Sequence, residues 1–334
     1  MKKKTLFITT KNLDYLRNIQ EINLLKAQNQ EVKVIGSSSN QYIKRLLVVY
    51  IGLFFQRIKE YDTIFIGFAP QLVLPFWWWK FRGKQIKIDF FISMYDTLVF
   101  DRKKFKKNSL IGKILKYLDR RTLFLAEEII CDTKEHGKYF VTEFGAPFER
   151  MHTLYLEADT TIYYPRERKK AGDFFEVLYF GSILPLQGVD IVLKSAQILQ
   201  KNTAIHFTLI GPIKEGDGKV ESDTITYIPW LSQEQLAEAI AQADLCLAGH
   251  FNKDINKAKR TIPGKAYIYR AMEKPMILGD NSATRELYSE DMDGIYFVEM
   301  GNPQALAKKI LKIKEEYFIK TSNITNDKSR DFVE

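Results

Sequence analysis

The stretch RTIPGKAYIYRAMEKPMILGDNSATRE, residues 260–286, strings a turn, a helix and a short strand together. Pro263 and Gly264 mark the turn, and Lys265 to Met272 reads as a helix whose first turn offers free backbone N–H groups to an anion. The following PMILGD is a short buried strand that ends in Gly and Asp. Strand ends followed by turns are where open α/β sheets place their ligands. The segment gathers Arg260, Lys265, Arg270, Arg285 and Glu286, which is chemistry suited to gripping a diphosphate. Arg260 and Lys265 stand five apart across the Pro–Gly turn, so they do not share a helical face but can converge on one anion. A solvated charge run is the alternative, and the apolar residues around them weigh against it.

Outward from this segment, strands and helices alternate in both directions. Upstream lie FEVLYFGS, a helix over 188–200, IHFTLIGP, a Gly-rich loop over 211–218, TITYIPW, a helix over 232–242 and ADLCLAG; downstream lie IYFVEM and a helix over 303–317. The N-terminal half repeats the pattern with TLFIT, EVKVIG, TIFIGF, QIKIDFF, EEIICDT and MHTLYLE, separated by helical stretches near 15–28, 41–58, 71–81, 110–125 and 134–144. Such alternation predicts parallel sheets covered on both faces. YPRERKKAGD reads as a linker. The expected division is an N-terminal domain over 1–163, a linker over 164–174, a C-terminal domain over 175–317 and a polar tail over 318–334. Two doubly wound domains of similar size predict a cleft between facing strand ends.

The net charge of +9 is unevenly placed: residues 1–165 hold 27 Lys and Arg against 17 Asp and Glu, and residues 166–334 hold 23 against 24. A basic N-terminal half suits an anionic membrane surface, a phosphate-bearing acceptor or nucleic acid, and charge alone does not choose among them. Cys131 and Cys246 lie far apart in apolar runs, so buried free thiols and a cytoplasmic setting are expected. The apolar part of MKKKTLFITT is too short for a signal peptide and fits a first strand. LLVVYIGLFF (46–55) and LVLPFWWWKF (72–81) fall short of a membrane span. Three tryptophans beside Lys80, Arg82, Lys84 and Lys87 read either as core helix or as contact with a lipid interface.

Further candidates flank the strands. In GSILPLQG (181–188), backbone N–H groups near Gly181, Ser182 and Gly188 can face a phosphate or a sugar hydroxyl, or the glycines are plain turn residues. Gly211 opens GPIKEGDG as a position of close backbone approach, and Tyr227 and Ile228 lie in a strand that either presents its edge to a base or packs in the core. DFFISMYDTLVFDRKK (89–104) leaves a strand with Asp89, Asp96 and Asp101, which suggests polar recognition or a general base, with Asp96 preferred over Asp89 for that function; a helix cap or a pair with Arg102 is the alternative. His136, His152, His206 and His250 are scattered and neither cysteine has ligand spacing, so no metal site is expected. The chain has no GxSxG, Walker loop or GxGxxG, which removes hydrolase, kinase and dehydrogenase readings.

Taken together, these motifs resemble glycosyltransferase family 4 of the GT-B fold. GSILPLQGVDIVLKSAQIL resembles that family's strand–loop–helix with Gln187-Gly188 at its "KG" or "HG", ADLCLAG resembles its "AD" strand, and residues 260–288 resemble the branch with "R-x-I-P-x-K" followed by "AM-x-KP-x-I-x-GD". DFFISMYDTLVFDR and AEEIICDTKEHGKYFVTEFG are similar to bacterial members, so the resemblance spans about 300 residues. It implies retaining transfer of a sugar from a nucleotide diphosphate without a metal. Arg260 and Lys265 match the positions that stabilise the departing diphosphate; Gly181 and Ser182 would lie near it, Tyr227 to Pro229 near the base, and Asp280 to Glu286 near the sugar or phosphates.

The chain departs from the family at several points. The E-x7-E positions are Arg260 and Ile268, Glu273 replaces a usual Gly before Lys274, and TTKNLDY lacks the glycines of many relatives. The resulting expectation is a two-domain GT-B hexosyltransferase of surface-polysaccharide type, with Asp96, Arg260 and Lys265 as catalytic residues. Gly181, Ser182, Gln187, Gly188, Gly211, Tyr227, Ile228, Ile268, Arg285 and Glu286 join Arg260 and Lys265 as donor-binding residues. A UDP-sugar is the expected donor with no other cofactor, a saccharide or lipid-linked saccharide the acceptor, and nucleic acid is not a partner. The expected location is cytoplasmic, with peripheral contact at the membrane. The alternative is a catalytically silent sugar-nucleotide or glycan-binding partner of a transferase complex, motivated by Ile268.

Overall fold

A computed structural model describes residues 2–168 and 174–330, with side chains through 319. The chain divides into two compact units, one running to Asp159 and including Lys259–Ile262, the other comprising Thr160–Ala258 and everything from Pro263 onward. Part of the expected linker, 169–173, lies outside the described residues, as do 331–334 of the expected tail.

The first unit contains β1 (Lys4–Thr9), α1 (Leu16–Ala27), β2 (Glu31–Ile35), α2 (Tyr42–Phe55), β3 (Thr63–Phe68), α3 (Leu74–Phe81), β4 (Gln85–Asp89), α4 (Leu110–Leu125), β5 (Glu128–Cys131), α5 (Lys134–Phe144) and β6 (Met151–Thr153). Its strands form one parallel sheet in the order β2-β1-β3-β4-β5-β6. Alternation along the strands sorts the two faces. Leu6, Ile8, Ile64, Ile66, Ile86 and Ile88 meet a large core with side chains of α2, α3, α4 and α5. Phe7 and Phe65 point the other way and pack with Leu25 of α1. The strand order accounts for this division: β1 to β2 steps one way and every later crossover steps the other, so right-handed connections put α1 alone on its face.

The second unit contains β7 (Phe175–Phe180), α6 (Val189–Leu199), β8 (Ile205–Ile210), β9 (Ile225–Ile228), α7 (Gln233–Gln242), β10 (Leu245–Gly249), α8 (Gly264–Ala271), β11 (Met276–Gly279), β12 (Ile295–Val298) and α9 (Pro303–Arg330). Its parallel sheet has the order β12-β11-β10-β7-β8-β9. The reversal between β7 and β10 puts the ends of those strands at a topological switch point, where a doubly wound sheet leaves room for a ligand. Helix α9 continues to Arg330, where the sequence suggested a tail from 318.

Local sequence explains the helix starts. Thr133 caps α5 by accepting from the His136 N–H, and Ser232 with Gln235 forms a capping box on α7. Lys274 reaches the other end of α7, donating to the Ala243 carbonyl at 3.0 Å. Glu273 has φ 53°, a left-handed backbone that glycine adopts without penalty.

Candidate functional site

In the second unit, Lys265 lies on the first turn of α8 and is buried. Its Nζ donates to Gln187 Oε1 at 3.0 Å and sits 3.8 Å from the centroid of the Tyr179 ring. Tyr179 donates its hydroxyl to the same Gln187 oxygen at 2.7 Å, and Gln187 Nε2 donates to Ser182 Oγ at 3.2 Å. Burial holds the Lys265 amine well below the ordinary lysine value and pushes the Tyr179 phenol up. Among the described residues, no carboxylate pairs with Lys265. The result is a cation donor held at a strand end by neutral groups alone.

Two close backbone approaches shape this place. A Cβ on Gly181 would lie 3.0 Å from Lys265 Nζ and 3.2 Å from the Tyr179 hydroxyl, and would also collide with Gln187 Oε1. Gly188, at φ +68°, forms the N-cap of α6, where a Cβ would come within 2.7 Å of the backbone at Phe251 and Asn252. Gly181 N–H donates to the Ile210 carbonyl at 2.9 Å and Gly211 N–H to the Ile228 carbonyl at 2.8 Å, so the exits of β7, β8 and β9 run side by side. Neither α6 nor α8 has a side-chain cap at its N-terminus. Their first-turn N–H groups add positive potential to that of Lys265.

The remaining donor candidates are placed differently. Ile268 is half-buried on α8. Tyr227 turns its hydroxyl to the backbone of Val220, accepting from its N–H and donating to its carbonyl at 3.0 Å each. Arg285 is committed locally: it forms a two-point pair with Asp280 at 2.8 and 2.9 Å, reaches Glu290 at 3.3 Å and stacks 3.8 Å over Phe297. Its hydrogen bonds hold the Asp280 carboxyl below the usual range. Glu286 is half-buried in the short turn after β11, which also carries Arg285.

Arg260 belongs to the first unit, while Lys265 belongs to the second. The Arg260 guanidinium donates through one terminal nitrogen to both oxygens of Asp96, at 3.0 Å each, and lies 3.5 Å over the Tyr139 ring. Tyr139 also donates to Asp96 at 3.4 Å, and Thr133 donates to the Arg260 carbonyl. Asp96 is buried, and its partner is Arg260 rather than Arg102. Asp89 is engaged by Arg17, which donates through Nη2 at 2.9 Å and also through Nε.

Sequence reasoning missed three residues that build these clusters. Tyr179 and Tyr139 look like ordinary core aromatics, and their partners are distant in the chain. Asp119 accepts from Ser93 Oγ at 2.6 Å and from the backbone of Tyr95 and Met94 at 2.9 and 3.2 Å, which fixes the loop that carries Asp96. Burial raises its carboxyl to about 6. Its signal in the sequence is that it is the lone carboxylate in α4.

Residues 175–316, which contain the Lys265 cluster, match the family model described as Glycosyl transferases group 1. The match covers less than half of the chain. Of the first unit, the residues up to Asp159 lie outside that match and the Lys259–Ile262 segment lies within it. Comparison with curated proteins gave no match. Among solved structures, a sucrose-phosphate synthase from Thermosynechococcus elongatus is 11% identical with a TM-score of 0.68, over 94% of this chain and 90% of that one. Anabaena HepE in complex with UDP and glucose is 15% identical with a TM-score of 0.62 over the same shares, 94% and 90%. A glycosyltransferase from Rickettsia africae is 10% identical with a TM-score of 0.58, over 94% and 88%. The fold of the two Rossmann-like halves is GT-B, as the sequence led one to expect. Among the described residues no group of three or more His, Cys, Asp and Glu is placed to hold a metal, and no helix is long and apolar enough to cross a membrane.

Proposed function

We propose that the chain is a retaining glycosyltransferase of family 4 type that takes a nucleotide-sugar, with UDP as the nucleotide, in its second unit. The acceptor is a saccharide or lipid-linked saccharide of surface-polysaccharide synthesis, handled by the basic first unit at the cytoplasmic face of the membrane. The observation that carries this reading is the buried Lys265 amine beside the Gly181 and Gly188 turns, inside the group 1 match and without a carboxylate partner among the described residues. Solved structures of the similarly folded Anabaena HepE with UDP, and with UDP-glucose, support the choice of nucleotide.

Cleavage of the bond between sugar and diphosphate leaves negative charge on the departing phosphate. Lys265 answers it with a cation that water does not screen, and the open N-termini of α6 and α8 add aligned N–H groups. No resident metal or further cofactor is required on this reading. Gly181, Ser182, Gln187, Gly188 and Gly211 form the floor against which the diphosphate lies. Tyr227 and Ile228 offer the base-side strand edge. Ile268, Arg285 and Glu286 complete the donor set, with Ile268 contributing apolar surface in place of a carboxylate. Arg260 is the second cationic candidate and Asp96 the carboxylate that positions it.

The test is donor hydrolysis and transfer across UDP-, GDP- and dTDP-sugars. Turnover of a UDP-sugar that drops by roughly 100-fold or more in Lys265→Ala supports the reading, since loss of one preorganised donor costs about that much. Arg260→Ala tests the second cation in the same assay. Nucleotide binding without turnover would instead make the chain a silent binding partner, the outcome that the missing carboxylate at Ile268 favours.

A further inference from the structure

Three helices on one face of the first sheet turn large apolar side chains outward. On α2, Val49 and Leu53 are buried, yet Ile43, Leu47, Ile51, Phe54 and Phe55 stand exposed at successive turns of the opposite stripe, Phe55 by 76%. A surface helix normally carries polar residues there. Helix α3 exposes Phe76 and Trp79, the latter by 67%, while Trp77 is buried against Tyr50 of α2 with ring centroids 5.5 Å apart. Lys80 of α3 donates to the Phe54 carbonyl at 2.7 Å and ties the two helices together. Helix α4 packs beside α3 and exposes Leu110, Ile111, Ile114, Tyr117 and Phe124. The face is contiguous through helices that are neighbours.

Charge narrows what can cover it. The only carboxylate in the three helices is Asp119, which is buried and fully used by its loop partners. Arg102, Lys103, Lys104, Lys106 and Lys107 lead into α4, all exposed. Lys113, Arg120 and Arg121 continue along the helix, and none of these eight cations has a carboxylate partner among the described residues. Tyr117, Arg120, Arg121 and Phe124 line a shallow concavity of about 290 Å³. A second copy of the chain would bring like charges together over the same patch. A surface with hydrocarbon beneath a layer of phosphates satisfies both features at once.

We propose that the outer face of α2, α3 and α4 docks on an anionic lipid bilayer, with phospholipid headgroup phosphates seated between Arg120 and Arg121. Phe55, Trp79 and Leu110 enter the boundary between headgroups and acyl chains, and the 102–107 cations lie along the phosphate layer. The helices rest on the bilayer and do not cross it, in keeping with their length. This deepens the reading of a membrane-borne acceptor and can fail separately from it.

The full chain is floated with vesicles of phosphatidylcholine alone and of phosphatidylcholine mixed with phosphatidylglycerol. Binding to the mixed vesicles, weakened by salt and absent from the neutral ones, is expected. Arg120→Gln with Arg121→Gln should weaken binding about thirty-fold, from roughly five-fold losses at each basic contact. Phe55→Ser with Trp79→Ser should release the protein even at low salt. The circular-dichroism spectrum and thermal melt of each variant, compared with the parent, serve as the folding control for all four substitutions. Equal binding to neutral vesicles, no binding to either, or full binding by the double Arg variant overturns the proposal; so does a concentration-dependent dimer abolished by Trp79→Ser. Vesicle binding without donor turnover would defeat the proposed function and leave this surface standing, and turnover without vesicle binding would do the reverse.

Discussion

Replacing Lys265 by Met should make the protein more stable while depriving it of its donor. The lysine's amine has three donor hydrogens and one acceptor, Gln187 Oε1 at 3.0 Å. Met preserves most of the aliphatic stem, and Gln187 Oε1 keeps its hydrogen bond from the Tyr179 hydroxyl at 2.7 Å, so the substitution strands no acceptor. Relief of an under-satisfied buried amine is worth about 1–2 kcal/mol after the loss of the contact with the Tyr179 ring. For a domain of this size that is a melting shift of roughly 3–6 °C. The sign with pH follows from the direction of the pKa change. Burial depresses the folded-state amine below 10.5, so its cost is fully present below the depressed value and disappears as pH rises toward 10.5. The stability advantage of Lys265→Met should therefore narrow in alkaline buffer. Donor affinity should move the other way, weakening roughly 10- to 100-fold on loss of charge-assisted hydrogen bonds to the diphosphate. Thermal melts across pH and calorimetric titration with a UDP-sugar measure both quantities. A variant that melts below the parent and binds the UDP-sugar equally well refutes the reasoning.

Gly181→Ala should lower both melting temperature and donor affinity, because the added methyl meets Lys265 Nζ, the Tyr179 hydroxyl and Gln187 Oε1; a cost of about 1–3 kcal/mol is expected by chemical denaturation. Glu273→Gly should stabilise the protein by about 1 kcal/mol, since the side chain at φ 53° is relieved of its left-handed penalty, and melts compared at equal concentration check this. Asp119→Asn should alter the pH profile of stability. A carboxyl raised from 3.8 to about 6 favours the folded state while protonated, so that contribution is lost as pH climbs between those values; the parent should lose on the order of 3 kcal/mol relative to the variant over that window, read by urea melts.

Much of the architecture was readable because its signals are local. Alternating apolar runs located the strands, and the turn at Pro263-Gly264 marked the start of α8. Charge-bearing motifs were harder, because the partners that determine what a charged side chain does lie far away in sequence. Arg260 reads beside Lys265 as one cationic pair, yet its guanidinium is held by Asp96, 164 residues earlier. Asp89 looks like Asp96 in sequence, and only the buried Arg17 beneath it separates their roles. Gln187 shows the opposite case: its motif position drew attention to it, while its contact with Tyr179 and Lys265 explains what an amide does there. The tryptophan run split as well, since one helical turn buries Trp77 and exposes Trp79.

The most direct measurement is a crystal structure of the full chain with UDP bound. A diphosphate oxygen within hydrogen-bonding distance of Lys265 Nζ, about 3 Å, beside the Gly181 turn is the predicted result. A diphosphate bound elsewhere, with Lys265 still donating only to Gln187, would contradict the assignment of the donor site.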